Sequence, residues 1–355
     1  MLVKEVSFNS FRNLKEYKFV PIDGMNVICG ENAQGKTNLI EAIWLFTGAK
    51  SFRGNKDNEL VKFGETCAKL NMDFIAEGVK KEAEIIIEQR RRAVLNGNRY
   101  NQAASLAGSF CAIVFSPDDL GLITEGPAKR RRFLDIAITE LHPSYLNALR
   151  KYNRAVTQRN VLLKENKKGY CDLSLLNLFE EEIATNGSII IKERLNYLEE
   201  IKDTVSGIYR GLSAEKENLS VEYISTVGED FLNQLKLSRK EDFLTATTSV
   251  GPHRDDLSFF INNQSVRNFG SQGQKRSAAL AMKLSEAEIL KRITGEFPVA
   301  LLDDVMSELD PERQNYILNH IDGWQVFLTC CDPSNTKNLN KGKIFWVKNG
   351  EISED

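Results

Sequence analysis

The segment that most restricts what this chain can fold into is Gly30-Glu31-Asn32-Ala33-Gln34-Gly35-Lys36-Thr37. An apolar run, Met25 to Cys29, precedes it and a helix-period stretch follows. The spacing is GxxxxGK[ST], in which the glycines let the backbone curl around an anion with no Cβ in the way. Successive amides and the N-terminus of the following helix supply the positive potential. At ordinary glycine usage, chance produces such a match in roughly one chain of this size per hundred. The order strand, loop, helix is that of an α/β protein, and Ile40, Ile43, Trp44 and Thr47 fall on one face of the expected helix. The loop implies nucleotide binding, ATP above all, with Lys36 at the β/γ phosphates and Thr37 on Mg²⁺. Asn38 opens the helix beside them.

Composition sets the outer limits. At 355 residues, 42% hydrophobic and 27% charged, the chain has room for one large α/β domain and a second lobe, and is neither fibrous nor disordered. A net charge of −2 excludes a protein that coats nucleic acid through overall charge, so contacts of that kind must come from local patches. No apolar run approaches the ~18 residues of a membrane span. The N-terminal MLVKEVSFNSF lacks the apolar core of a leader peptide. Six cysteines, at 29, 67, 111, 171, 330 and 331, form no CxxC pair. They read as reduced thiols of a cytoplasmic protein, without a zinc site.

Along the chain, strands are expected at 3–11, 25–29, 67–76, 84–95 (ending at the turn Asn96-Gly97-Asn98) and 113–115. Residues 127–165 and 173–211 read as two long helices around the polar turn at 164–170, a helical hairpin. A strand is expected at 220–226 and short helices at 229–245. The α/β pattern then returns with strands at 257–261, 299–302, 325–329 and 343–347, an amphipathic helix at 274–293 and another after Pro311. The expected architecture is a two-part head, residues 1–120 and 246–355, with a mainly helical insertion at 121–245.

Two further motifs carry chemistry. Val299-Ala300-Leu301-Leu302-Asp303-Asp304 is a buried-strand pattern ending in two carboxylates, placed where open α/β sheets bind ligands. Asp303 suits Mg²⁺ and Asp304 suits polarising an attacking water. The plain alternative is a strand ending in two solvated acids. Gly270-Ser271-Gln272-Gly273-Gln274-Lys275-Arg276 heads the long helix as a second possible anion loop, the plain alternative being an N-cap by Ser271.

The order of phosphate loop, insertion, serine loop and acidic strand followed by Ser307-Glu308-Leu309-Asp310 resembles the ABC-type ATPases. FRNLKEYKF, GENAQGKTNLIEAI, SFRG, FSPDDLGLITEGPAKRRRFLD, GPHRDDL, FGSQGQKR and LLDDVMSELD together are similar to the SMC/RecF branch, and to its RecF-type repair members in particular. The fold this implies is an ABC-type P-loop ATPase head with an inserted helical arm. Only about 230 residues separate Lys36 from Ser271, too few for the long coiled coil of SMC proteins. The resemblance implies that Ser271, Gly273 and Gln274, with the D-loop Asp310, complete the ATP site of a second copy in a head-to-tail homodimer. It also implies phosphate contacts from Arg12 and Arg53, whose plain alternative is surface arginine. It further implies duplex-DNA and duplex/single-strand junction binding, and work beside RecR and RecO in placing RecA. Asp304 stands where such ATPases have glutamate and Cys330 stands at the switch-histidine position, both pointing to slow hydrolysis; Gln272 replaces the first signature glycine. A Q-loop glutamine is not placed, residues 114–120 occupying its region.

The basic runs Arg90-Arg91-Arg92 and Lys129-Arg130-Arg131-Arg132 are candidate DNA contacts, extended by Lys151, Arg154, Arg159, Lys164, Lys167 and Lys168; a solvated face is the plain alternative. His253 reads more readily as a packed histidine than as a catalytic one. A transporter ATPase subunit and a small-molecule P-loop kinase are the competing functional readings.

Overall fold

In the computed structural model the apolar run before the phosphate loop becomes β3 (Met25–Cys29), an inner strand of a largely parallel sheet. The structure describes residues 1–54, 56–166, 172–331 and 342–354. Chain packing divides the protein into two units, Met1–Asp119 with Leu280–Asp355, and Leu120–Ala279.

The sheet of the first unit runs β15-β14-β3-β13-β12-β8, with β8 Ala112–Phe115, β12 Val299–Leu302, β13 Val326–Cys330, β14 Lys343–Lys348 and β15 Glu351–Glu354. Only β15 is antiparallel to its neighbour. β8 and β12 are buried at every position, as continuous apolar runs in parallel sheets are. Because β13 lies between β3 and β12, the carboxyl ends of these three strands meet at one edge, where α1 (Lys36–Trp44) begins.

A second, antiparallel sheet belongs to the same unit: β2-β1-β4-β5-β6-β7, comprising β1 Leu2–Asn9, β2 Tyr17–Phe19, β4 Ala68–Ala76, β5 Val79–Ile87, β6 Arg91–Leu95 and β7 Asn98–Tyr100. The single strand expected at 84–95 is two strands, which pair with Ile87 opposite Arg91 around the polar Glu88-Gln89-Arg90 turn. Asn96 and Gly97 take φ of 48° and 80°, the two-residue hairpin turn expected there.

The second unit contains α2 (Gly121–Thr124), α3 (Pro127–Leu141), α4 (Pro143–Asn166), α5 (Leu173–Leu212), α6 (Phe231–Thr245) and α7 (Val266–Phe269). Its sheet is β11-β10-β9, formed by β9 Leu219–Ile224, β10 Asp256–Ile261 and β11 Gln264–Ser265. The long helix α8 (Gln272–Thr294) starts in this unit and ends in the first. The return to the head, expected at 246, therefore comes later. β10 pairs along its whole length with β9, which holds this stretch in the second unit. The helix expected over 127–165 breaks at His142–Pro143, since Pro143 has no N–H to donate and biases His142 away from helical geometry (φ −129°, ψ 83°). α5, at 40 residues, is about 60 Å long and α4, at 24, about 36 Å.

Charge is built into the core of this unit. Arg159, expected on an exposed basic stripe, is fully buried. It donates to Glu180 Oε1 (3.1–3.2 Å), Asp242 Oδ2 (2.7 Å) and Thr248 Oγ1 (3.0 Å). Arg239 donates to the same Glu180. Lys167 and Lys168 lie outside the described residues. Among those described, no helix is long and apolar enough to cross a membrane.

Arg159→Met removes one partner of two buried carboxylates. We expect a loss of about 3–5 kcal/mol, seen as a lower denaturation midpoint of the full chain.

Candidate phosphate-loop site

The phosphate loop is held from several sides. Gly30 has φ +154°, and a Cβ there would stand 2.3 Å from the Val347 carbonyl oxygen, so β14 alone demands glycine. Gly350 N donates to Gln34 O (2.9 Å) and Asn349 N to Gln34 Oε1 (2.5 Å). Asn13 Nδ2 reaches Ala33 O (3.4 Å) and Gln34 O (3.3 Å), while Asn13 Oδ1 accepts from Asn38 (2.7 Å). The buried Lys36 ammonium folds back onto Gly30 O (2.6 Å) and Glu31 O (3.0 Å).

The acidic strand end lies directly beside the loop. Asp303 Oδ1 accepts from Thr37 Oγ1 (2.9 Å) and from Thr329 Oγ1 (3.0 Å). The Thr329 hydroxyl in turn accepts from Asp304 N (2.8 Å). Asp303 is buried, which rules out a fully solvated pair of acids. Burial raises its pKa, and the two hydroxyl bonds oppose that rise. Asp304 takes φ 54° and is held further by Ser307, which donates to its carbonyl (2.8 Å).

The predicted Asn32, Ala33, Gly35, Lys36, Thr37 and Asn38 line one cavity of about 890 Å³, together with Arg12, Arg53 and Asp304. Arg12 is half-buried, whereas Arg53 is exposed. Arg12 donates Nε and Nη2 to the fully buried Glu41 of α1 (3.0 and 3.1 Å), and Arg53 donates to Asn38 Oδ1 (3.0 Å). Sequence reasoning missed Thr329 and Glu41. The available signals were a hydroxyl closing an apolar strand and a carboxylate inside an apolar helix.

Other expectations change. The thiol facing the loop is Cys331, 3.1 Å from Asn32 Oδ1, whereas Cys330 Sγ lies 3.2 Å from Cys29 Sγ. Strand alternation explains this, because Thr329 points to the acids and its neighbour points away. Ser271 and Gln274 form a reciprocal cap, Ser271 N donating to Gln274 Oε1 (2.8 Å) and Gln274 N to Ser271 Oγ (3.2 Å). Gln274 Nε2 also reaches Glu217 (2.7 Å). Within a single chain, then, the N-cap reading of Ser271 holds. Asp310 caps α9 (Pro311–His320) by accepting from Arg313 N (3.0 Å), and this bond lowers its pKa. Ser271, Gly273, Gln274 and Asp310 do not line the cavity. In the 114–120 region Asp119 accepts from Ser116 N (2.6 Å), and burial pushes its pKa up to about 6.

Of the basic runs, Arg91 and Arg130 turn inward and are corrected as surface contacts. Arg91 pairs with Asp57 (2.8 Å) and donates to Ala49 O (2.7 Å). Arg130 donates to both oxygens of Asp256 (2.5 and 2.9 Å) and to two carbonyls. Arg131 donates to Asp255 O (2.8 Å) and is part-buried, as is Arg132. Arg90, Arg92, Lys151 and Arg154 are exposed and Lys129 is half-buried, Arg92 pairing with Glu88 and Lys129 with Glu125. His253 is a packing residue: Nε2 lies 3.0 Å from Thr248 O and Nδ1 2.5 Å from Tyr152 Oη, so Nε2 donates and Nδ1 accepts.

A braced phosphate loop, a buried acid bonded to its threonine, and a serine loop heading a long helix define a P-loop ATPase head of the ABC type. Residues 2–352 match the RecF/RecN/SMC N-terminal domain. The chain belongs to the RecF family of DNA replication and repair proteins. It is 38% identical to the RecF protein of Lachnospira eligens over 99% of both chains. With that of Caldanaerobacter subterraneus subsp. tengcongensis it shares 40% identity over 97% of this chain and 98% of the relative. A solved structure of the recombination mediator protein RecF with ATP, from the RecFOR pathway, superposes with TM-score 0.93 at 38% identity, covering 100% of this chain and 97% of that one. An Smc head domain from Pyrococcus furiosus, at TM-score 0.55 and 17% identity over 99% and 96% of the two chains, shares the fold alone. Neither the transporter subunit nor the small-molecule kinase is favoured by these matches.

Thr329→Val deletes the hydroxyl shared by Asp303 and Asp304 N. We expect about 1–3 kcal/mol lost, and an Asp303 pKa raised further, by carboxyl-carbon NMR, with Thr329→Ser close to wild type. Because folding raises the Asp119 pKa, ionising that group costs stability. Stability from this group therefore rises as pH falls from above about 6 towards 4, the range between its folded and ordinary values. Asp119→Asn should flatten that part of a stability-versus-pH curve relative to wild type.

Proposed function

We propose that the chain is an ATP-operated switch on DNA, closing as a head-to-tail homodimer when ATP is bound and reopening on slow hydrolysis. The observation that carries this reading is the convergence of Lys36, Thr37, Asp303 and Asp304 at one edge of the sheet. Lys36 and the loop amides, Gly30 to Thr37, would hold the triphosphate. Thr37 Oγ1 and Asp303 Oδ1, 2.9 Å apart, are hard oxygen donors suited to Mg²⁺, which takes one or two protein ligands and completes its shell with phosphate oxygens and water. Bound there, the ion would neutralise charge on the phosphoryl group. Asp304 would orient the attacking water, and its side chain, one methylene shorter than glutamate, fits slow turnover.

Ser271, Gly273 and Gln274, with Asp310, would complete the site of a second copy. The Ser271 hydroxyl accepts from Gln274 N, which leaves its hydrogen to donate to a phosphate oxygen. The family and its RecFOR-pathway relatives support work on duplex DNA beside gaps and junctions, in the cytoplasm at the nucleoid, with RecR, RecO and RecA as partners. Arg90, Arg92, Lys129, Arg131, Arg132, Lys151 and Arg154 are the candidate phosphate contacts; Arg91 and Arg130 are withdrawn.

Sedimentation velocity with and without Mg·ATP tests the split site. Wild type is expected to shift to dimer with ATP, Lys36→Ala to lose ATP binding by at least tenfold, and Ser271→Ala to bind ATP yet remain monomeric. A Ser271→Ala protein that dimerises as well as wild type overturns the proposal.

A further inference from the structure

Two thiols meet where neighbouring strands of the parallel sheet end. Cys29 is the last residue of β3 and Cys330 the last of β13, and the ladder sets their Cα atoms directly opposite each other. Paired strands run about 4.8 Å apart, inside the ~4.4–6.8 Å between Cα atoms that a disulfide spans. The two Sγ atoms lie 3.2 Å apart, so the side chains already point at each other. Cys29 is fully buried, whereas Cys330 is half-buried and keeps part of its surface in solvent.

Each thiol adjoins a different part of the nucleotide edge. Cys29 is followed by Gly30, whose carbonyl holds Lys36 Nζ (2.6 Å) and whose Cα is packed so closely on Val347 O that no Cβ fits. Cys330 follows Thr329, whose hydroxyl donates to Asp303 (3.0 Å) and accepts from Asp304 N (2.8 Å). Drawing the sulfurs from 3.2 Å to the ~2.05 Å of a disulfide pulls on both flanks at once.

We propose that Cys29 and Cys330 are a redox-modification site: a hydroperoxide converts them to a reversible disulfide that weakens nucleotide binding at the adjoining loop. The effect on binding rests on the nucleotide reading given above. Cys330 Sγ attacks the peroxide, so that an S–O bond forms, the O–O bond breaks, and the thiol proton leaves with the second oxygen as water. Cys29 Sγ then attacks the sulfenic sulfur. The S–S bond forms, the S–O bond breaks, and the departing hydroxide takes the Cys29 proton as a second water. Two thiols lose two electrons, and one hydrogen peroxide is reduced to two waters. A dithiol reverses the bond by exchange. In a reducing compartment such a disulfide is transient, as sensing disulfides are. Cys331, whose Sγ lies 3.1 Å from Asn32 Oδ1 and 3.7 Å from Lys36 Nζ, faces the loop and takes no part.

The full chain is treated with hydrogen peroxide and digested without reductant for peptide mass spectrometry, and Mg·ADP is titrated calorimetrically into reduced, oxidised and re-reduced samples. Wild type is expected to give a Cys29–Cys330 peptide pair lighter by two hydrogens than its separate halves. Oxidation is expected to weaken ADP binding about tenfold, the worth of one loop hydrogen bond, and dithiothreitol to restore it. Cys330→Ser, compared with itself before and after peroxide, is expected to show neither the linked peptides nor the loss, and Cys331→Ser to show both. Absence of the linked pair, a loss that persists in Cys330→Ser, or linked protein that binds ADP as tightly as reduced protein overturns the proposal. Reduced wild type that binds no ADP overturns the nucleotide reading instead, and the linked pair then decides the disulfide by itself.

Discussion

The nucleotide edge of this protein depends on one buried carboxylate. Asp303 receives a hydroxyl from Thr37, at the start of α1, and another from Thr329, at the end of β13. Burial disfavours its charge, and the two donors restore part of what solvent would have given. The arrangement is possible only because β13 runs between β3 and β12, so three strand ends that are distant in sequence deliver their side chains to one point. Asp304 N hangs from the same Thr329 hydroxyl, so the acid facing the cavity and the acid facing the loop share a support.

The second unit is organised by a different physical device. Its largest fully buried side chains include Arg130, Arg159 and Arg194. Each guanidinium spreads its donors over more than one partner. Arg194, for example, serves Asp135 (2.8 Å), the Pro252 carbonyl (2.7 Å) and Tyr145 Oη (3.2 Å). A planar fork of fixed donors suits such sites in a way that a lysine ammonium does not. Interior charge of this kind adds little net stability over an apolar core, but it is costly to break on one side, which restricts how the helices can pack.

How much of this was legible in the sequence differs by residue. Gly30 to Thr37 and Val299 to Asp304 are contiguous and carry their chemistry in the order of the chain, so they read directly. Thr329 acquires its role from strand order, which no local pattern contains. The arginine runs misled for a geometric reason. Four consecutive helical residues such as Lys129 to Arg132 cover more than a full turn, so they cannot share a solvent face, and Arg130 faces the core. In a strand, neighbours alternate, so Arg91 points inward while Arg92 points outward. The serine loop was legible as a helix start, and its cap is what a single chain displays.

The loop that grips phosphate near one end of the sequence is braced by a hairpin encoded more than three hundred residues later, Asn349 N donating to the Gln34 side chain across a separation of 315. Val347 presses its carbonyl against Gly30 from the same hairpin. On a ribosome, the loop emerges early and then waits, its supporting strands β14 and β15 still unmade. Assembly of the site is therefore tied to late synthesis and to long-range pairing, which is slow to form, and a nascent chain is kept from holding nucleotide in its final geometry before most of the protein exists.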